Sequence, residues 1–202
     1  MTEYRIREIS SAAELASAES FEIRHYQWGY AYAPAARAVL AFITDEGFYY
    51  RIQCFESDPV RTYTRDDDPV YLDSALELFL DCYPDRPGCG YLNLEVNANG
   101  AMISEFGPDK DERRLLAELG LVAPKPTITM TPDAWTVEFL VPLALIHQLY
   151  GAAEFHRGSV IRANFCTVGE NTLAPHFGTF MPIDAEEPEF HLPSYFGRFV
   201  IE

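Results

Sequence analysis

Two glutamates and a series of amides at every second position carry the chemistry this sequence can offer. Glu77 sits in ALELFLD (75–81), and Asn93, Glu95 and Asn97 recur through YLNLEVN (91–97). A period of two places side chains on one face of a strand, so these polar groups oppose the row Leu76, Leu78, Leu80 and the row Leu92, Leu94, Val96. Carboxylates and amides are planar and can pair with adjacent hydroxyls, and Phe79 and Tyr91 on the same polar rows add flat apolar surface. Parity also sets Arg51 and Gln53 in FYYRIQCFE, and Arg162 and Asn164 in SVIRANFCT, on non-core faces. If these rows share one face of one sheet, they converge on a recognition surface. If they do not, they are a wet sheet face on which Arg51 pairs with Glu77 or Glu95. Glu77 and Glu95 could also act as a glycosidase pair, which needs two acids about 5 to 10 Å apart across the scissile bond.

The elements that must hold these groups are mostly strands. Residues 66–100 read as a hairpin whose turn, YPDRPGCG, has Pro84 and Pro87 to fix the backbone and Gly88 and Gly90 to permit positive φ. A second hairpin runs through ARAVLAFIT, a turn at DEG, and FYYRIQCFE, with Phe48, Tyr50, Ile52 and Cys54 on its core side. FEIRHYQW, GAMISEF, TITMT, WTVEFLVP, SVIRANFCT and RFVI are further strands. Helices are few and short: SAAELASAES, capped by Ser10 or Ser11; PDKDERRLLAELGLV, with Leu115, Leu116 and Leu119 as a stripe and Gly120 as C-cap; and PLALIHQLYG, from Pro142 to Gly151. Many strands without a βαβ rhythm predict an all-β antiparallel sandwich or jelly roll with a few short helices, a single domain over residues 1–202. The loop SDPVRTYTRDDDPVYLDS is long enough to cover or line a site.

Composition narrows the partners. A formal charge of −16 with 15 Lys and Arg against 31 Asp and Glu excludes nucleic acid and anionic membranes, which need surplus cations. The four cysteines, Cys54, Cys82, Cys89 and Cys166, have no CxxC spacing; Cys82 and Cys89 flank the hairpin turn and are either bridged or free. MTEYRIREISS lacks a basic segment followed by an apolar run, and no stretch reaches the roughly 20 apolar residues of a membrane span. The expectation is a cytoplasmic protein, or an extracellular one whose signal has been removed. Asp66, Asp67 and Asp68, with Asp73 nearby, are hard oxygen ligands that calcium could use, although the run lacks EF-hand spacing and reads more readily as a solvated loop. His156, His176 and His191 show no metal spacing.

The blocks PVYLDSALELFLD, YLNLEVNANG, WTVEFLVPL, RANFC and FHLPSYFGRF, in this order between Phe21 and Ile201, resemble the family 9 carbohydrate-binding modules and, more broadly, DOMON-type sandwiches. The resemblance implies a two-sheet jelly roll, often with bound calcium, that holds the end of a glycan chain without cleaving it, as part of polysaccharide catabolism. It implies a sugar held between two tryptophans and ringed by carboxylate, amide and guanidinium groups. Position by position, Glu77 matches the sugar-binding acid, Tyr71 stands where the first tryptophan would be, and Arg162 and Asn164 match an R-x-N-F element. The stretch with His176, Phe177 and Phe180 matches the region of the second tryptophan, while Asn93, Glu95 and Asn97 occupy a strand that in the family bears an arginine. The site this resemblance implies includes Glu77, Asn93, Glu95, Asn97 and Arg162, walled by Tyr71 and Phe177. Distant DOMON-type relatives bind haem through Met with Lys or His, for which Met102, Met130 and Met181 are the methionines here.

Overall fold

The structure is a computed structural model that describes residues 3–86 and 88–202; Pro87 of the hairpin turn lies outside the described residues. In chain order the strands are β1 (Glu3–Ile9), β2 (Ser20–Ile23), β3 (Ala36–Ile43), β4 (Gly47–Cys54), β5 (Ala75–Asp81), β6 (Tyr91–Asn97) and β7 (Met102–Gly107). They continue with β8 (Arg114–Leu115), β9 (Thr127–Met130), β10 (Trp135–Pro142), β11 (Val160–Gly169), β12 (His176–Thr179) and β13 (Gly197–Ile201). One α-helix, α1 (Leu143–Tyr150), leaves β10 at Pro142 and stops where Gly151 turns left-handed at φ 71°, as Pro142 and Gly151 predict. Ala12–Ser17, Val70–Leu72 and Pro193–Tyr195 are short 3-10 turns. Among the described residues no helix is long and apolar enough to cross a membrane.

The strands form one curled path, β8-β7-β6-β5-β11-β13-β1-β3-β4-β10-β9, with β12 pairing β11 and β2 pairing β3. It folds over as two layers. The first runs from β8 to β13, and the second from β3 to β9. Between them lie Leu76, Leu78, Leu80, Leu92, Leu94 and Val96 from the β5–β6 hairpin and Phe48, Tyr50, Ile52 and Cys54 from β4, all buried. The two-residue period therefore assigned the core rows correctly, because a strand that packs on one side must put alternate residues there. Tyr50 ties the layers together across this core: its hydroxyl donates to the Glu77 carbonyl at 3.1 Å.

Three expectations are corrected. The sheet is mixed: β1 runs parallel to β13 through residues 3–6 and parallel to β3 through residues 7–9, so that strand passes from one layer to the other. PDKDERRLLAELGLV is not a helix but turns around the two-residue β8. Leu116 alone of its stripe is fully buried, and overlapping turns between Leu115 and Leu121, the last closed by Leu121 N–H on the Leu116 carbonyl at 2.8 Å, satisfy a spacing that would also suit a helix. FEIRHYQW is a strand only to Ile23. All four cysteines are free thiols.

The outer face of the β5–β6 hairpin is not wet. Ala75, Phe79 and Tyr91 join Cys166, Val168, Phe177, Ile183, Phe190 and Phe196 in a second apolar cluster, because the segment from Phe180 to Phe196 lies across that face. Where this cover stops, a pocket opens.

Candidate ligand-binding site

The pocket has a volume of about 650 Å³. Its floor is set by register. Glu77 on β5 is directly opposite Glu95 on β6, which is opposite Ile103 on β7; Asn93 is opposite Phe79 on one side and Glu105 on the other. Residues directly opposed across an antiparallel pair have Cβ atoms about 4.5–5.5 Å apart, so the two glutamates stand side by side. Both are nearly inaccessible, at 3% and 6% exposure, yet both line the pocket. Asn93 Nδ2 donates to Glu77 Oε2 at 3.2 Å. Among the described residues Glu95 Oε1 is buried without a hydrogen-bond partner.

Burial dominates the electrostatics of the floor. It pushes the Glu77 carboxyl up to about 8, against the opposing hydrogen bond from Asn93 and with Glu170 adding to the rise. Burial, and then the neighbouring Glu77, holds Glu95 well above the usual carboxylate range. Two carboxyls in one dry site resist ionising together, so the floor keeps protons at neutral pH unless positive charge arrives.

The walls come from four directions. Tyr71, on the turn Val70–Leu72 and 38% exposed, forms one side with Glu170, whose backbone N–H donates to the Tyr71 carbonyl at 3.1 Å. Phe177 on β12 and Phe190 of the covering segment form the other, backed by Trp28, whose indole N–H is held by the Ala185 carbonyl at 3.0 Å. The third side is Arg113, salt-bridged to Glu105 at 2.5 Å. The fourth is Lys110 with Glu189, beside His191, whose Nδ1 meets the Tyr91 hydroxyl at 3.0 Å. Burial, followed by Arg113, pushes His191 down to about 3, so its imidazole is neutral.

Tyr71, Glu77, Glu95 and Phe177 are thus brought together, and Asn93 supports them. The remaining sequence candidates sit elsewhere. Arg51 lies on the outside of the other layer, 3.5 Å from Glu138, because alternation gives the side of a strand but not the sheet it joins. Asn97 accepts the Asn99 and Ala101 N–H groups and donates to the Tyr63 carbonyl and Asp73, so its amide braces the loop before β5. Arg162 pairs in register with Asp81 at the far end of β5 and does not line the pocket. Asn164 Oδ1 accepts the Met181 N–H at 2.9 Å, anchoring the covering segment. His176 is buried edge-on to Tyr32, its Nδ1 near the Ala174 carbonyl at 3.1 Å, on the opposite side of β12 from Phe177. Glu105, Lys110, Arg113, Glu170 and Glu189 went unread in the sequence, and His191 was read only as lacking metal spacing. Only Glu105 had a signal, its even spacing from Ile103 in GAMISEF.

The acids expected to suit calcium are engaged within the protein. Asp73 Oδ2 accepts from Thr62 N–H at 2.7 Å, Tyr63 N–H at 2.9 Å and Asn97 Nδ2 at 2.9 Å. Asp66 accepts the Met102 N–H, and Asp68 accepts the Arg65 N–H. Asp68 and Asp73 serve the backbone of their own loop and Asp66 the start of β7, and among the described residues no three His, Cys, Asp or Glu side chains are grouped to hold a metal. Met102, Met130 and Met181 lie on β7, on β9 and after β12, which gives haem no common centre.

A two-layer β-fold with a floor of buried acids between aromatic walls defines a binding domain of the sandwich class. The chain belongs to carbohydrate-binding family 9, whose profile matches residues 8–201. No curated protein sequence matches it. Among solved structures, a protein of Bacteroides uniformis described as a candidate carbohydrate-binding protein superposes with a TM-score of 0.82 at 19% identity, covering 99% of each chain. A family 9 module of Caldicellulosiruptor kristjanssonii in complex with cellotriose gives 0.72 at 15% identity, over 100% of this chain and 94% of that one. The same organism's family 9 module with glucose gives 0.72 at 16%, over 100% and 96%. At these identities the likeness is one of fold.

Proposed function

We propose that this protein binds the end of a glycan chain in the pocket above Glu77 and Glu95, with a pyranose ring between Tyr71 and Phe177, and does not cleave it. The observation that carries this reading is the pair of buried carboxyls at the base of a cleft with aromatic side walls. A pyranose offers apolar C–H faces to rings and an edge of hydroxyls to planar acceptors, and the pocket supplies both. Family membership and the saccharides held by the Caldicellulosiruptor modules support it.

A glycosidase needs its two carboxyls pushed apart, one protonated as acid and one ionised as base or nucleophile. Here burial pushes both in the same direction.

Calorimetry with glucose, cellobiose, cellotriose and xylobiose tests the reading. The wild type should bind at least one of them, and incubation should release no shorter products. Tyr71→Ala and Phe177→Ala should each weaken binding about ten-fold, equivalent to roughly 1.4 kcal/mol of lost ring contact. Arg51→Ala, on the far layer, should leave affinity unchanged. Failure of the wild type to bind any saccharide in a wider glycan panel would overturn the assignment.

A further inference from the structure

The pocket is lined by more acidic side chains than cations to pair with them. Its three cations are all engaged by acids of the same pocket: Arg113 with Glu105 at 2.5 Å, Lys110 with Glu189 at 2.5 Å and Arg114 with Glu118 at 3.8 Å. Asp67, Glu77, Glu95 and Glu170 also line it, and none of these four has a salt-bridge partner among the described residues. A second observation is independent of that count: Glu95, which lines the pocket, is 6% exposed, and its Oε1 is buried without a hydrogen-bond partner among the described residues. A buried carboxyl oxygen left unmatched costs about 1–3 kcal/mol, which a bound donor would offset.

We propose that the sugar this pocket is built for carries a free amino group, a hexosamine unit whose ammonium is held between Glu77 and Glu95. This rests on the glycan-binding reading and names its ligand class. A hydroxyl can donate to Glu95 Oε1 but brings no charge. An ammonium brings three N–H donors and a positive charge, and its bonds to carboxylates are among the strong ones. Calcium would need six to eight oxygens, and the described residues group no three metal-binding side chains here. A simple alkyl amine would satisfy the acids but leave Tyr71 and Phe177 unused. N-acetylation removes the charge and adds bulk against the floor, so the acetylated sugar is excluded.

The ligand-free floor is protonated because burial holds both carboxyls up, with Glu170 and Glu105 raising them and Arg113 opposing. Asn93 faces Glu77 from β6, and neutral His191 lines the same pocket. The bound ammonium replaces a floor proton. Association with an amino sugar therefore releases protons to buffer, and association with a neutral sugar does not.

The test is calorimetry at neutral pH with the β-1,4-linked glucosamine disaccharide, its N-acetylated counterpart and cellobiose, in two buffers of different ionisation enthalpy. The expected result is at least ten-fold tighter binding of the glucosamine disaccharide than of cellobiose, with proton release for the amine alone. Glu95→Gln should reduce that ratio to near one. Equal affinity of the wild type for the glucosamine disaccharide and cellobiose, or tighter binding of the acetylated one, overturns the amino-sugar inference and leaves glycan binding standing. Binding of no saccharide overturns both. Because the wild-type ratio decides, a Glu95→Gln protein that fails to fold does not shield the idea.

Discussion

Between about pH 6.5 and pH 8 the ligand-free protein loses thermal stability, and Glu77→Gln with Glu95→Gln removes most of that loss. The sign follows from linkage. Glu77 has a folded-state carboxyl raised to about 8 from an ordinary 4.5, and Glu95 lies well above its ordinary value. Between the two values the folded state holds protons that the unfolded state has released, so stability falls as pH rises. The stabilising contribution is fully present below about pH 4.5 and is gone once pH passes the folded value. His25, His176 and His191 are lowered by burial and act in the opposite direction, but only up to about 6.5, where the unfolded imidazole gives up its proton. Above that point the glutamates act unopposed. Each carboxyl protonated only in the folded state contributes up to about 1.4 kcal/mol per pH unit, or roughly 3–5 °C of midpoint for a domain of this size. Glutamine keeps the shape and cannot ionise, so an unchanged slope in the double variant would show that other groups set it.

Asp73→Ala is expected to cost about 3–5 kcal/mol, lowering the thermal midpoint by about 10 °C, and to weaken saccharide binding as much as Tyr71→Ala does. One carboxylate oxygen gathers two backbone N–H groups of the preceding loop and the Asn97 amide, at 2.7, 2.9 and 2.9 Å, and the residue is 1% exposed. Removing it takes the shared acceptor from two loop N–H groups and from the buried Asn97 amide. The turn Val70–Leu72 follows that loop directly, and Asp73 N–H closes it on the Val70 carbonyl at 3.0 Å, so the wall residue Tyr71 moves with it. Asp66→Ala is the comparison. Asp66 accepts one N–H, from Met102 at 3.1 Å, and its loss should cost only about 1 kcal/mol. Chemical denaturation of both variants checks the contrast; equal stability of Asp73→Ala and wild type would refute the bracing role.

Alternation made the strands readable, and with them the fact that Glu77 and Glu95 share a face, because a pleated strand leaves no other arrangement. It could not say which layer a strand joins, which is why Arg51 was grouped with residues on the opposite side of the core. Nor could it say whether a polar side chain is aimed at a ligand or at the backbone beside it. Asn97 and Asn164 have the right parity, but their amides bind loop N–H groups, a use decided by segments distant in sequence. The cationic and acidic walls, Lys110, Arg113, Glu170 and Glu189, come from turns with no period to detect. The resemblance to a known family placed Tyr71 and Phe177 where parity was silent.

The passage of β1 between the layers bears on how the chain reaches this state. Its first half pairs with β13, with Glu3 opposite Arg198 and Ile6 opposite Ile201, and its second half pairs with β3. The first layer is not joined to β1, and through it to the second layer, until residues nearly the whole chain apart have met. Contacts of such sequence separation must be reached before they reward the ordering they require, which makes folding slow. The hairpin carrying Glu77 and Glu95 is local and can form early, but the seam that shuts the barrel-like curl behind it waits for the last strand. On a ribosome, that seam forms only after β13 has emerged.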